Sequence, residues 1–355
     1  MSNMIYYVGM DVHLATIVIA VLDGRGKLVM ESVIETNAVT ILNFIQGLRG
    51  TVVVTFEEGT QATWLYELLR RHVADVVVCD PRRNKLLQVG EKADRVDAKK
   101  LAHLLRAGLL QPVYHGSHGT RGLKELARAY DTLARDSTRV MNRIKAIFRG
   151  RGIGCAGQGV YRVQKRQPWL EQLTEPGVRR RAELLYAQLD HLIGLRDQAR
   201  DELVAESQKH PASRLLRRIP QLGKVRVAQM IAIVDTPHRF RTKRQFWAYC
   251  GLAVVTAASA QYQVVNGEIR KSDKGVLTRG LNRNHNRTLK SIFKSAAVRA
   301  AVTGPFKPYH DQLIARGMRP PMARLTLARK LATITLKIWK TGEVFDAKKL
   351  MEPTT

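Results

Sequence analysis

The stretch "YYVGMDVHLATIVIAVLDGRGKLV", residues 6–29, decides the fold. It is dense in β-branched residues, and "DGRG" at 23–26 is a hairpin turn signal, so it reads as two short strands joined there. Working outward, "TVVVTFEE" (51–58) is a continuously apolar third strand, the kind that runs inside a covered sheet. "TQATWLYELLRRHV" (60–73) has helical periodicity, and "ADVVVCDP" (74–81) is another buried strand. "DAKKLAHLLRAG" (97–108) is a helix with a glycine stop at Gly108. Strands followed by strand and helix in alternation predict an α/β domain with a mixed sheet over residues 1–116.

Beyond it the pattern changes. Leu123, Leu126, Tyr130, Leu133, Ser137, Val140, Ile144 and Ile147 keep three-four spacing, a coiled-coil seam with one polar break. The glycine-rich "RGRGIGCAGQG" (149–159) interrupts it, and a second helical segment follows from about Gly177 to Ser207. Residues 117–210 therefore read as a helical coiled-coil arm, either antiparallel or intermolecular. From 211 to 355 the chain reads as mainly helical. There "LLRRIPQLGKVRVAQMIAIV" (215–234) has the form of a helix-hairpin-helix, and "RTKRQFWAYCGLAV" (241–254) is a helix with a glycine stop. A polar, strand-poor stretch to Gly275 and basic helices to about Gly342 complete it.

Charge divides the chain in the same place. The 355 residues carry a net charge of +29, yet residues 1–115 hold 13 Lys and Arg against 12 Asp and Glu. Nearly all the excess lies in the remainder, which implies a polyanionic partner, most simply nucleic acid, gripped by the latter two-thirds. Arg217, Arg218, Lys224 and Arg226 surround the hairpin, where backbone N–H groups near Gly223 suit a phosphate. "KSDKGVLTRGLNRNHNRTLK" (271–290) adds Lys271, Lys274, Arg279, Arg283, Arg287 and Lys290, with Asn282, Asn284 and His285 between them. Arg324, Arg329, Lys330 and Lys337 on the closing helix extend the same surface. Each charge run has a plain alternative as a solvated face. Three widely spaced cysteines give neither a disulfide framework nor a zinc site, which suits a reducing cytoplasm. No run reaches membrane-spanning length, and no signal peptide is read.

The acids of the first third need a separate reason. Asp11 lies in the first strand, Glu57 and Glu58 end the third, and Asp94 and Asp97 share one side of a helix at i,i+3. Only one of Glu57 and Glu58 can face a given side of the sheet, because strand residues alternate. Converging carboxylates repel unless a cation lies between them, and Mg²⁺ is the hard cation that oxygen donors prefer. Paired ions of this kind assist phosphoryl displacement. Read singly, Asp94 caps the helix and Asp97 complements its dipole.

The order "YVGMDVH", "VTFEEGT", "ADRVDAKKLA", "IPQLGKVRVAQMIAIV" and "RQFWAYCGLAV" resembles the DEDD-type transposases of bacterial insertion sequences. That family also includes Piv-like invertases and bridge-RNA-guided recombinases. The resemblance implies a RuvC-like, RNase H-type first domain whose four metal-holding acids fall on Asp11, Glu57, Asp94 and Asp97. "EEGTQATW" departs from the family's single glutamate and leaves Glu58 open. It also implies a serine nucleophile soon after the "GL" helix end, which falls on Ser259, although Ala260 stands where a glycine is expected. Ser272 and Tyr262 are the alternatives. By the same resemblance the protein cuts and rejoins double-stranded DNA at element ends and target through a phosphoserine bond. A structured guide RNA and a dimer or tetramer go with that reading.

Two other classes stay open, a hydrolytic nuclease or junction resolvase and a non-catalytic nucleic-acid scaffold. An actin-like kinase is disfavoured, because no second glycine-rich phosphate loop is found.

Overall fold

The computed structural model describes residues 4–82, 93–116, 118–257, 262–265, 268–271 and 277–350. The chain forms two compact units, Met1–Gly116 and Ser117–Thr355.

The first unit is a five-stranded mixed sheet: β1 (Ile5–Val12), β2 (Thr16–Leu22), β3 (Leu28–Glu35), β4 (Thr51–Glu57) and β5 (Asp75–Cys79). Its order is β3-β2-β1-β4-β5, with β1, β2 and β3 antiparallel and β1, β4 and β5 parallel. Residues 6–29 thus hold three strands rather than two. A tight turn closed by His13 N–H on the Thr16 carbonyl (2.9 Å) separates β1 from β2, and the "DGRG" turn joins β2 to β3. The apolar run on both sides of this three-residue turn hides it from a reading that looks for glycine or proline.

Helix α1 (Ala38–Gly47) joins β3 to β4 and has no counterpart among the elements expected from sequence. Its start is marked by Asn37, whose side chain accepts from Thr40 N–H at 2.9 Å. Helix α2 (Ala62–Leu69) and α1 cover one face of the sheet, where Tyr6, Val8, Met10, Val52, Val54 and Phe56 meet Ile41, Ile45, Leu65 and Leu69. Helix α3 (Asp94–Arg106) covers the other face, with Ala98, Leu101, Ala102 and Leu105 buried against it. A mixed α/β sheet with helices on both faces, followed by a helical unit, is consistent with the RuvC-like class.

The second unit begins with α4 (Arg121–Arg149), followed by α5 (Arg166–Glu171) and α6 (Pro176–Gln208). The seam of α4 is buried within the chain. Near its end Val140, Ile144 and Ile147 meet Ala182, Tyr186 and Leu189 of α6. Near its start Leu123 and Ala127 share a core with Leu203. The pair is therefore antiparallel, and the polar break is satisfied inside the helix, Ser137 Oγ donating to Leu133 O at 2.8 Å.

Helices α7 (Pro211–Leu216), α8 (Lys224–Val234), α9 (Lys243–Tyr249), α10 (Arg287–Ala300), α11 (Lys307–Ala315) and α12 (Pro320–Thr341) complete the unit. Asp131 of α4 ties two of them, accepting from Gln229 Nε2 of α8 and Thr288 Oγ1 of α10. The stretch read as strand-poor instead carries β6 (Val254–Ala257), β7 (Tyr262–Val265) and β8 (Glu268–Lys271), and β9 (Leu277–Leu281) stands where the basic helices were expected to begin. Strand β6 pairs with β9, and β7 with β8, both antiparallel. Four-residue strands are too short to show alternation, and the partner of β6 lies twenty residues downstream, so no local pattern announces them.

Candidate metal centre and nucleic-acid surface

The acids meet because of strand parity and one glycine. Met10 pairs with Phe56 in the parallel ladder, so the next residues, Asp11 and Glu57, stand side by side at the carboxyl ends of β1 and β4. Their even-numbered neighbours face α1 and α2, so Asp11 and Glu57 take the α3 face. Two residues before Asp11, Gly9 lies under α3 so closely that a Cβ would sit 2.1 Å from Ala98 O and 2.6 Å from Ala102 N. The missing side chain lets the helix backbone rest on β1, and the first turn of α3 brings Asp94 and Asp97 over Asp11.

Between them lies a residue that the sequence reading quoted without assigning. His13 Nε2 is 3.2 Å from Asp11 Oδ2 and 3.5 Å from Asp94 Oδ2. One ligand atom from each of Asp11, His13 and Asp94 lies within 4.8 Å of the other two. The Asp11 carboxyl is raised above its ordinary range by burial, with Asp94 and Asp97 adding to the rise and His13 opposing it. Glu57 is raised likewise, by burial and then by Asp11, Asp97 and Asp80. Asp97 Oδ1 is buried with no hydrogen-bond partner, and Lys100 Nζ is 3.8 Å away. Partly buried carboxylates that repel one another, with one oxygen lacking a hydrogen bond, fit a hard divalent cation.

Glu58 is engaged elsewhere. Its carboxylate pairs with His115 Nε2 at 2.9 Å, and that ring stacks on Tyr66 at 4.7 Å. Asp80, also unassigned from sequence, accepts from Arg82 N–H at 3.0 Å. His13 follows Asp11 by two residues but stands in the turn just past the end of β1, so strand alternation does not announce it.

In the second unit, Arg217 and Arg218 follow α7, and Lys224 opens α8. Gln221 adopts the left-handed region (φ 70°), and its carbonyl accepts from Arg226 Nη1 at 2.8 Å. Arg217, Lys224 and Arg226 line an open cavity of about 530 Å³ with Arg299 of α10, a residue not singled out from sequence. The Arg226 guanidinium is lowered by burial and then by Arg299, so two cations share this concavity. Arg217 and Arg218 also border a second cavity of about 440 Å³ with Ser213 and Arg214.

Among the other basic residues, Lys271 lies in β8, Arg279 in β9, Arg283 in the following turn, and Arg287 and Lys290 in α10. Asn282 is not free to reach outward, since its Nδ2 donates to Ala248 O and Asn284 O, both at 2.8 Å. His285 packs where a Cβ on Gly251 (φ +66°) would sit, which explains that helix stop. Arg329 and Lys330 are turned inward rather than extending the surface. Arg329 Nε donates to Leu252 O at 2.7 Å, and Lys330 is buried over the Tyr309 ring. Ser259, Ser272 and Lys274 lie outside the described residues, and Tyr262 is exposed in β7. The three cysteines are buried and form no disulfide, and among the described residues no helix is long and apolar enough to cross a membrane.

A mixed sheet whose parallel strand ends carry two acids, facing two more on an overlying helix, defines a DEDD-type nucleic-acid-processing domain. Family comparison agrees. A DEDD transposase model of the IS110 type, described as transposase, matches residues 8–151, which include all four acids. A second model, transposase of the IS116/IS110/IS902 family, matches residues 213–279. Together they cover more than half of the chain, which belongs to the IS110 family of insertion-sequence transposases. It is a DNA transposase, an enzyme acting on DNA. No curated protein matches the chain.

Proposed function

We propose that Asp11, Glu57, Asp94 and Asp97 hold divalent ions, Mg²⁺ in the cell, and that strand transfer passes through a phosphoserine bond at Ser259. The observation that carries the metal reading is the buried Asp97 Oδ1, which has no hydrogen bond and only a long ion-pair contact to Lys100, beside the raised carboxyls of Asp11 and Glu57. When bound, the ion supplies charge that neutralises the phosphate and the departing oxygen. The resemblance supports the serine, the family's nucleophile falling at this position. In the proposed step Ser259 Oγ loses its proton and bonds to phosphorus. The bond from phosphorus to the 3′ oxygen breaks, and that oxygen takes up a proton. The bond count is conserved, so a second strand's 3′ hydroxyl can reverse the exchange and rejoin DNA without an energy source.

The basic residues Arg217, Arg218, Lys224 and Arg226, with Lys271, Lys274, Arg279, Arg283, Arg287 and Lys290, are proposed to hold phosphate backbone. The same reading assigns residues 1–116 to metal chemistry, 117–210 to the arm and 211–355 to DNA binding and the serine. It includes a structured guide RNA, a dimer or tetramer, and a cytoplasmic setting. The guide RNA and the oligomer follow the family resemblance, the basic residues follow from their charge and placement, and the cytoplasmic setting from three cysteines without a disulfide framework.

The test uses full-length protein with Mg²⁺, its copurifying RNA and DNA carrying an element end. A covalent protein–DNA adduct is sought and its residue mapped by mass spectrometry. Adduct on Ser259, lost in Ser259→Ala and in Asp11→Ala, is the expected result. Cleavage that survives Ser259→Ala without any adduct points to a hydrolytic nuclease instead.

A further inference from the structure

We propose that His13 is a nitrogen donor to the cation held by Asp11 and Asp94, so that this position favours first-row transition ions over Mg²⁺, with Mn²⁺ serving as the paramagnetic probe. The inference rests on the metal reading above and adds a ligand and an intrinsic preference on the Asp11–Asp94 side, while Mg²⁺, the abundant cellular ion, remains the one expected there in the cell. Three observations carry it.

The first is separation. Octahedral ligands at about 2.1 Å from an ion stand about 3 Å from their neighbours. His13 Nε2 lies 3.2 Å from one acid oxygen and 3.5 Å from the other, close to that edge length. All three ligand atoms lie within 4.8 Å of one another, near enough to be shared by one ion.

The second is anchoring. His13 N–H donates to Thr16 O at 2.9 Å, and its carbonyl accepts from Thr36 Oγ1 at 3.0 Å. Its backbone is thus fixed on both sides of Cα in the β1–β2 turn, and from that position its ring meets both acids.

The third is donor chemistry. A histidine needed only to balance charge could be replaced by lysine or arginine, which cannot ligate. Imidazole can do both, and it suits first-row transition ions, whereas Mg²⁺ demands oxygen. Glu57 and Asp97 offer only oxygen, so the centre is asymmetric: a nitrogen-bearing side at Asp11–His13–Asp94 and an all-oxygen side.

The test reads the metal, not turnover. Metal-free full-length protein is titrated with Mn²⁺, free ion is followed by electron paramagnetic resonance, and the bound ion is examined by pulsed methods for coupling to ¹⁴N. Wild type should show that coupling. His13→Gln should lose it and bind Mn²⁺ about tenfold more weakly, while competing Mg²⁺ binds within about twofold of wild type. Bound Mn²⁺ without nitrogen coupling in wild type overturns the inference but spares the acids as ligands, provided that Asp97→Asn weakens binding. Wild type that binds no Mn²⁺ at all sinks the metal reading itself. The wild-type spectrum decides the matter even if the variant folds poorly.

Discussion

Gly9 and Ala98 are in contact through backbone alone, and a side chain of any size on Gly9 would collide with the Ala98 carbonyl at 2.1 Å. This contact sets the height of α3 above β1 and so the distance between Asp11 and the acids of that helix. Gly9→Ala should therefore do two things. Overpacking should cost about 1–3 kcal/mol in chemical denaturation. The displaced helix should also weaken divalent-ion binding, read by calorimetry under conditions where the variant remains folded. Unchanged stability and unchanged ion binding would remove the glycine from the account.

The raised carboxyls of Asp11 and Glu57 make a prediction with a definite sign. An acid whose folded pKa lies above its unfolded value holds its proton more readily in the native state. Metal-free stability should then fall as pH rises from about 4 through the folded values of these groups. Neutralising one of them should help the empty fold. Glu57→Gln is the cleaner variant, because Asp11 also engages His13. At pH 7 without metal it should be more stable than wild type. The gain should stay below about 1 kcal/mol, since the carboxyl is partly solvated and screened. Adding divalent ion should reverse the ranking, because wild type binds it and gains by mass action. Thermal melts with and without Mg²⁺ test this, and a variant that melts lower in both conditions refutes it.

The same acids show what a sequence makes legible. Asp94 and Asp97 are local: their i,i+3 spacing and helical context lie within one short run. Asp11 and Glu57 sit at strand ends that parity alone orients, and parity separates Glu57 from Glu58 once the apolar face of β4 is known. Gly9 could not be read in this way, because its role depends on a helix about ninety residues later. Ser137, the polar break in the seam, is satisfied by its own helix, which the spacing does not reveal. The short strands β6 to β9 are a different failure. Each is four or five residues long, and their order comes from pairing across the chain rather than from pattern.

The arm offers a test independent of chemistry. Arg166 is 9% exposed, forks onto Asp190 with two 2.6 Å bonds, donates to Tyr161 O and lies 4.6 Å over the Tyr186 ring. It joins α5 to α6 where α4 ends. Arg166→Met keeps the stem but strands the Tyr161 carbonyl and the Asp190 carboxylate. Loss of charge-assisted bonds of this kind costs about 2 kcal/mol. Hydrogen exchange should quicken at 140–148 and 182–189 while β1 and β4 keep their protection. Equal exchange in both proteins would show that the guanidinium is incidental there.

The basic concavity around the hairpin makes the last prediction, and salt dependence reads it. Lys224 opens α8 and lines the cavity with Arg217 and Arg299, while Arg226 spends one donor on the Gln221 carbonyl. Replacing Arg226 would therefore damage the turn as well as the charge, so Lys224→Ala is the informative change. If Lys224 neutralises one phosphate, the slope of log affinity against log salt should become shallower by about 0.9 for duplex DNA. The weakening should be similar for unrelated sequences, because a phosphate contact carries no base information. Arg226→Ala should add a loss of thermal stability that Lys224→Ala lacks. Binding by Lys224→Ala with the wild-type slope would mean that this face does not meet DNA, and the charge of the second unit would have to act elsewhere.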